Sequence, residues 1–206
     1  MAGSPLGAWG WGLLFVCCPA ISKTEIIKNA RGTTRTSFDI SKGYHGYTKN
    51  MRILAFDPGY ERLGVAVVEK VAGKETLLHS DCIRTKATLT FPERLAELGA
   101  ATEALIQEWQ PKAIALESLY FENNAKTAMN VSAVRGMLLY LAARNNLPAY
   151  EYTPLQVKVA TTGHGSANKA AVALMVPKLV KVPPGKRLDD ELDAIAVGIT
   201  CLASLR

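Results

Sequence analysis

Carboxylates stand in this chain where hydrophobic runs stop. Asp57 ends the run Ile53-Leu54-Ala55-Phe56 and precedes a Pro58-Gly59 turn, and Glu117 ends a second run, Ala113-Ile114-Ala115-Leu116. Both are therefore expected at the carboxyl end of a strand, the edge at which open α/β sheets bind their ligands. A third group, Asp189-Asp190-Glu191-Leu192-Asp193, opens an expected helix, on which Asp190 and Asp193 share a face at i, i+3. Gathered at one sheet edge, Asp57, Glu117, Asp190 and Asp193 would repel one another unless a cation compensates them. With no His or Cys beside the acids, a hard ion such as Mg2+ suits them better than Zn2+, and two such ions about 4 Å apart can hold the attacking and leaving oxygens of a phosphodiester. The expectation is metal-dependent phosphodiester hydrolysis. Each acid also has a plainer role. Asp before Pro-Gly is a common turn former, Glu117 suits a solvated strand end, and Asp189 and Asp190 suit the first turn of a helix. Asp193 lies beyond the capping position and fits such a role poorly.

The elements that must position these acids follow from hydrophobic period and from turn residues. Strands are expected over Arg52 to Phe56, Leu63 to Glu69 and Thr76 to Arg84, joined by the Asp57 to Arg62 turn and a Gly73-Lys74 turn into an antiparallel meander. Gly64 opens the second strand and permits close approach of backbone or ligand. Thr90-Phe91-Pro92-Glu93 is a capping-box signature, and Leu95, Leu98, Leu105, Ile106 and Trp109 recur at helical spacing up to Pro111. A buried strand over Lys112 to Leu116 is followed by a helix over Asn123 to Asn145 with an apolar face of Ala125, Met129, Val134, Met137, Leu138 and Leu141. Ala149 to Tyr152 reads as the fifth strand. Thr153-Pro154 opens a short helix carrying Lys158, the Gly163-His164-Gly165 loop breaks it, and Ser166 or Asn168 caps a helix from Lys169 to Val180. The last helix spans Leu188 to Leu205. Together these elements describe an α/β fold with a five-stranded mixed sheet flanked by helices.

Composition narrows the classes further. The 206 residues, 49% hydrophobic and 20% charged, can bury one sizeable core, which excludes collagen-like and wholly disordered chains. The net charge of +6 suits a polyanionic partner, yet residues 1 to 50 hold six basic residues against Glu25 and Asp39. Any nucleic-acid surface in the main body is then a local patch. The four cysteines, Cys17, Cys18, Cys82 and Cys201, form no C-x-x-C pair, so neither a disulfide framework nor a structural zinc site is encoded, and a reduced cytosol fits best. The apolar stretch Ala8 to Ile21 is shorter than the roughly 20 residues of a membrane helix, and no Lys or Arg precedes it as in a secretory signal. Composition changes at Met51. Residues 1–50 are expected to be a disordered leader or an over-extended reading frame, with Met51 as the natural first residue and 51–206 as the working domain.

Five motifs stand in a recognisable order: Ile53-Leu54-Ala55-Phe56-Asp57-Pro58-Gly59, Ala115-Leu116-Glu117-Ser118-Leu119-Tyr120, Gln156-Val157-Lys158, Gly163-His164-Gly165-Ser166-Ala167-Asn168-Lys169, and Asp190-Glu191-Leu192-Asp193-Ala194-Ile195-Ala196. From Met51 to Ala203 the chain resembles the RuvC family, the bacterial Holliday junction resolvases. The resemblance implies an RNase H-like fold and a cytoplasmic homodimer that makes paired symmetric nicks in four-way junction DNA during recombination and repair. It also implies ligatable 5′-phosphate ends, two Mg2+ ions per active site with Mn2+ able to substitute, and the branch-migration proteins RuvA and RuvB as partners. Carried over by position, Asp57, Glu117, Asp190 and Asp193 are the metal-binding catalytic acids, with Asp189 a helper or cap. Lys158 and Lys169 match basic positions that contact the DNA backbone, although lysine is also the commonest of surface residues. Tyr120 matches an aromatic that meets unstacked bases; Phe121 follows it, so the role could belong to either, with core packing accounting for the other. Ala171 departs from a position that is often Gln in the family. His164 is the lone histidine near the expected site, and general-base work there would require hydrogen-bond reach.

Other functions start from the same residues. Actin-like and sugar-kinase ATPases also open with a strand, an Asp and a Gly, but no second turn of that type follows in this chain. A branched-DNA binder without cleavage, and a relative acting on structured RNA, are the remaining alternatives. The intact acids argue against the first, and Lys158 and Lys169 argue against the second.

Overall fold

The computed structural model describes residues 27–28, 34–35, 50–118, 125–183, 185 and 187–205. The chain divides into two units, Met1–His45 and Gly46–Arg206. In the first, strand β1 (Ile27–Lys28) pairs antiparallel with β2 (Thr34–Arg35). The rest of the leader expected over residues 1–50 lies outside the described residues, apart from Asn50, as do Tyr120 and Phe121.

The second unit holds β3 (Asn50–Asp57), β4 (Arg62–Val71), β5 (Lys74–Arg84), α1 (Phe91–Trp109), β6 (Ala113–Glu117), α2 (Ala125–Arg144), β7 (Ala149–Tyr152), α3 (Pro154–Thr162), α4 (Lys169–Leu179) and α5 (Asp189–Ser204). The strands form one five-stranded sheet in the order β5-β4-β3-β6-β7. β3, β4 and β5 are an antiparallel meander, while β6 and β7 run parallel to β3, so the sheet is mixed as expected. β3 runs from Asn50 through Asp57, longer at both ends than the hydrophobic run suggests, because its pairing with β4 carries on through Asp57 opposite Gly64. β5 begins two residues early and carries a bulge: His79 faces Val67 and Leu77 faces Val68, so Leu78 is skipped.

Period-two alternation divides the side chains between two faces. Leu54, Phe56, Leu63, Val65, Val67, Ile114 and Leu116 pack against Leu98 and Ile106 of α1 and Val134, Leu138 and Leu141 of α2. Ile53, Ala55, Ala66, Val68, Ala113 and Ala115 face α5, whose Ala194, Ile195, Ala196 and Ile199 are buried there. Each large aliphatic or aromatic side chain so buried contributes roughly 1.5–3 kcal/mol. Local chemistry sets the helix starts. The Thr90 backbone N–H and hydroxyl both donate to the Glu93 carboxylate at 2.7 Å, and the Thr153 N–H donates to Gln156 Oε1 at 2.8 Å while the Gln156 N–H returns to Thr153 Oγ1 at 3.2 Å. Asn168, not Ser166, caps α4 by accepting from the Ala171 N–H at 2.8 Å. α3 ends at Gly163, whose φ of 79° is the left-handed conformation that glycine adopts without strain.

Of the apolar face expected on α2, Val134, Leu138 and Leu141 are buried against the sheet, while Met129 is exposed, as is Tyr140. A helix packed on a sheet needs that stripe for the core of its own chain. At the outer strand β7, Arg135 of α2 grips the Glu151 carboxylate with two nitrogens, at 3.0 and 2.7 Å. No helix of the described residues is long and apolar enough to cross a membrane.

Candidate active site

Strand register brings the first two acids together. β3 and β6 run parallel with Phe56 opposite Leu116, so the next residues, Asp57 and Glu117, end neighbouring strands side by side. Both follow the alternation of Ala55 and Ala115 and therefore lie on the α5 face. Gly64 pairs with Asp57 on the other side. A Cβ placed on Gly64 would come 1.9 Å from the Asp190 carbonyl oxygen and 3.2 Å from Asp57 Cβ. The missing side chain is what lets the first turn of α5 settle on the strand, and that contact delivers Asp190 and, one turn on, Asp193. The close approach expected at Gly64 is thus made by the backbone of α5.

The electrostatics are those of crowded carboxylates. Asp57 is pushed up to about 8, first by burial, then by the charges of Glu117, Asp193 and Asp190, with Lys169 opposing. Glu117 is raised by burial and then by Asp193, against the pull of Lys169 and Lys158. Burial also raises Asp193, although the Lys169 ammonium bonds its Oδ2 at 2.7 Å. Burial works against the charge on Lys169, but the bond to Asp193 and the nearby Asp189 and Asp57 raise it overall. Asp190 Oδ2 is buried without a hydrogen bond, and its nearest cation is Arg62 Nε at 3.3 Å, outside hydrogen-bond geometry.

Lys169, Lys158 and Arg62 therefore offset part of the negative charge of the acids. Among the described residues, no three acidic, His or Cys side chains are drawn into a group that could hold a metal ion as they stand. The donor set nevertheless fits a hard divalent cation. It consists of carboxylate oxygens alone, one of them buried and unbonded, in a site where the protein already bears the cost of unbalanced negative charge.

The other expected residues fall as follows. Asp189 is exposed, 4.0 Å from Lys169 Nζ, as suits a helper or cap. Lys158 is half-buried and its charge reaches Glu117. Lys169, expected on DNA, rests on Asp193. His164 is exposed in the loop after α3, its backbone N–H donating to Thr162 Oγ1 at 3.2 Å. Arg62 was not anticipated; its only sequence signal is that it precedes Gly64 by two residues and so shares the face that α5 approaches.

Acids converging from two adjacent parallel strands and a helix start, at the end of a five-stranded mixed sheet, give an RNase H-like fold with an acidic centre. Comparison with known proteins narrows this to one family. The family described as Crossover junction endodeoxyribonuclease RuvC matches residues 53–201, and the chain belongs to the RuvC family. It is 39% identical over 156 residues to the RuvC crossover junction endodeoxyribonuclease of Syntrophomonas wolfei, covering 76% of this chain and 91% of that one. With the Moorella thermoacetica protein of the same name it shares 44% over 154 residues, 75% of this chain and 92% of the other. Among solved structures, T. thermophilus RuvC in complex with Holliday junction substrate superposes with a TM-score of 0.68 at 34% identity, covering 73% of this chain and 92% of that chain.

Proposed function

We propose that this chain is a Holliday junction resolvase, a metal-dependent endodeoxyribonuclease that nicks four-way junction DNA in recombination and repair, with residues 51–206 as the nuclease unit. The observation that carries the reading is the placement of Asp57 and Glu117 side by side at the ends of β3 and β6, with Asp190 and Asp193 brought onto them by α5. In this reading the four acids hold two divalent cations, Mg2+ with Mn2+ able to substitute. When bound, the cations supply the Lewis acidity that activates a water and steadies the leaving 3′ oxygen. The chain's own residues do the rest. Asp57, pushed up to about 8 by burial and then by its acidic neighbours, would give up its proton as the site fills. The small residues under α5 fix where the carboxylates point. Lys158 and Lys169, whose charges already reach the acids, meet the backbone of the bound strand, and Tyr120 stacks on an unpaired base. One copy holds one acidic cluster, so two symmetric cuts call for two copies, and a homodimer follows. RuvA and RuvB are the partners and the cytoplasm the compartment that this activity implies.

The test is a synthetic mobile four-way junction incubated with the protein and Mg2+. Two symmetric nicks with 5′-phosphate ends are expected, and Asp57→Asn is expected to abolish them while junction binding survives. Cutting confined to an RNA substrate would overturn the assignment, and binding without any cutting would favour a non-catalytic branched-DNA binder.

A further inference from the structure

Arg62 and Arg84 stand directly opposite each other in the β4–β5 ladder. Like charges paired across an antiparallel ladder are unfavourable. The counter-charge available to them is small. Asp190 Oδ2 lies 3.3 Å from Arg62 Nε, and Arg84 bonds the Cys82 side chain, a thiol that leaves the guanidinium charge unbalanced. A third arginine, Arg94 of α1, lines with them a cleft of about 320 Å3 completed by Glu61, Thr85 and Ala87. The cleft has rigid walls. Arg94 is 11% exposed, donates from Nε to the Leu89 carbonyl at 3.2 Å and lies 5.8 Å over the Tyr60 ring. Thr85 is fastened to the turn after Asp57 by its N–H to the Glu61 carbonyl at 3.1 Å and by its hydroxyl to the Tyr60 carbonyl at 2.8 Å. Glu61 itself is largely exposed, 3.8 Å from Arg94, and balances at most one of the three cations.

We propose that this cleft seats a backbone phosphate of the junction DNA close to the one that is cut. Guanidiniums have planar forks that suit non-bridging phosphate oxygens, and Arg62 and Arg84 are the two exposed ones here, with Arg94 adding charge from the wall. Arg62 touches both the cleft and Asp190, so the two sites adjoin and a ligand carrying a string of phosphates can fill them together. A second seat beside the acids sets the register of the strand, so that the phosphate presented to Asp57 and Glu117 is fixed on both sides. The inference rests on the reading of the chain as a junction nuclease.

The experiment measures binding of the full chain to a four-way junction in EDTA over a range of salt concentrations. Arg84→Ala should bind about tenfold more weakly and lose about 0.9 from the slope of log K against log salt, whereas Arg84→Lys should keep the slope. A second arm varies the DNA. Replacing single phosphates around the cut by neutral methylphosphonates should reveal one flanking position that weakens the wild-type protein about tenfold and Arg84→Ala hardly at all. Wild-type protein that binds and cuts the junction, with an unchanged slope in Arg84→Ala and no such position in the scan, overturns the second seat alone. Wild-type protein that neither binds nor cuts the junction overturns the seat together with the reading beneath it.

Discussion

The two faces of the central sheet are built from different residues. Toward α1 and α2 the sheet presents Leu54, Phe56, Leu63, Ile114 and Leu116, all fully buried, and the helices rest on those large side chains. Toward α5 it presents, beside Ile53 and Val68, the small residues Ala55, Gly64, Ala66, Ala113 and Ala115, and α5 answers with Ala194, Ala196 and Gly198 beside Ile195 and Ile199. A Cβ on Gly198 would lie 2.7 Å from Val68 Cγ2 and 3.2 Å from Ala55 Cβ. Aspartate has a short side chain, so Asp190 and Asp193 can join Asp57 and Glu117 only if the α5 backbone comes nearly into contact with the strands. On the first face the sheet meets its helices through large side chains; on the second, alanine and glycine let the α5 backbone come close and so supply position.

This contrast is most sharply broken at Gly64. Gly64→Ala drives a methyl group into the Asp190 carbonyl, and it is expected to destabilise the protein by about 3 kcal/mol and to abolish junction cutting even where the variant is still folded. Leu138→Ala, on the other face, is expected to destabilise by a similar amount, about 3 kcal/mol, yet to keep its cutting rate per folded molecule. Denaturant midpoints and single-turnover rates on both variants check the pair. An equal loss of cutting would mean that neither face has a special positioning role.

Charge sharpens the comparison next, since the acids lie on the α5 face alone. Asp57 has its folded value raised to about 8, so between the ordinary carboxylate range and about pH 8 the folded, metal-free protein holds a proton that the unfolded chain releases. The stability contributed by this group is full in acid and lost as pH rises through about 8. Glu117 and Asp193, both raised, act in the same direction. The thermal midpoint of metal-free protein is expected to fall by several degrees between about pH 5 and pH 8. Asp57→Asn should flatten that profile and melt above wild type at pH 8; a wild-type midpoint that stays level counts against the cluster. The smallest effect is expected at Gly136 in α2, where an added methyl meets nothing within 4 Å. Gly136→Ala should stabilise by about 0.5–1 kcal/mol, read as a higher urea midpoint with cutting unchanged.

Much of this site is visible in the chain itself, and the reason is local. A strand's alternation decides the face of its last residue, so Asp57 and Glu117 could be placed at strand ends from the apolar runs before them. Thr90 with Glu93, and Thr153 before Pro154, mark helix starts because capping acts within one turn. Gly64 signalled a close approach but not by what, since the partner lies far along the chain. The same separation hid the ion pair of Lys169 with Asp193 and that of Arg62 with Asp190, which depend on how α4, α5 and β4 meet.

The bulge in β5 bears on solubility. β5 is the longest strand and stands at one end of the sheet order, so its outer row of amides and carbonyls is the natural template for a foreign strand. Skipping Leu78 shifts the spacing of that row partway along, and Lys74, Glu75, Asp81 and Arg84 place both signs of charge on it. An incoming segment could match one half of the border but not both. The molecule thereby carries a guard against edge-to-edge fibril growth that owes nothing to its chemistry on DNA.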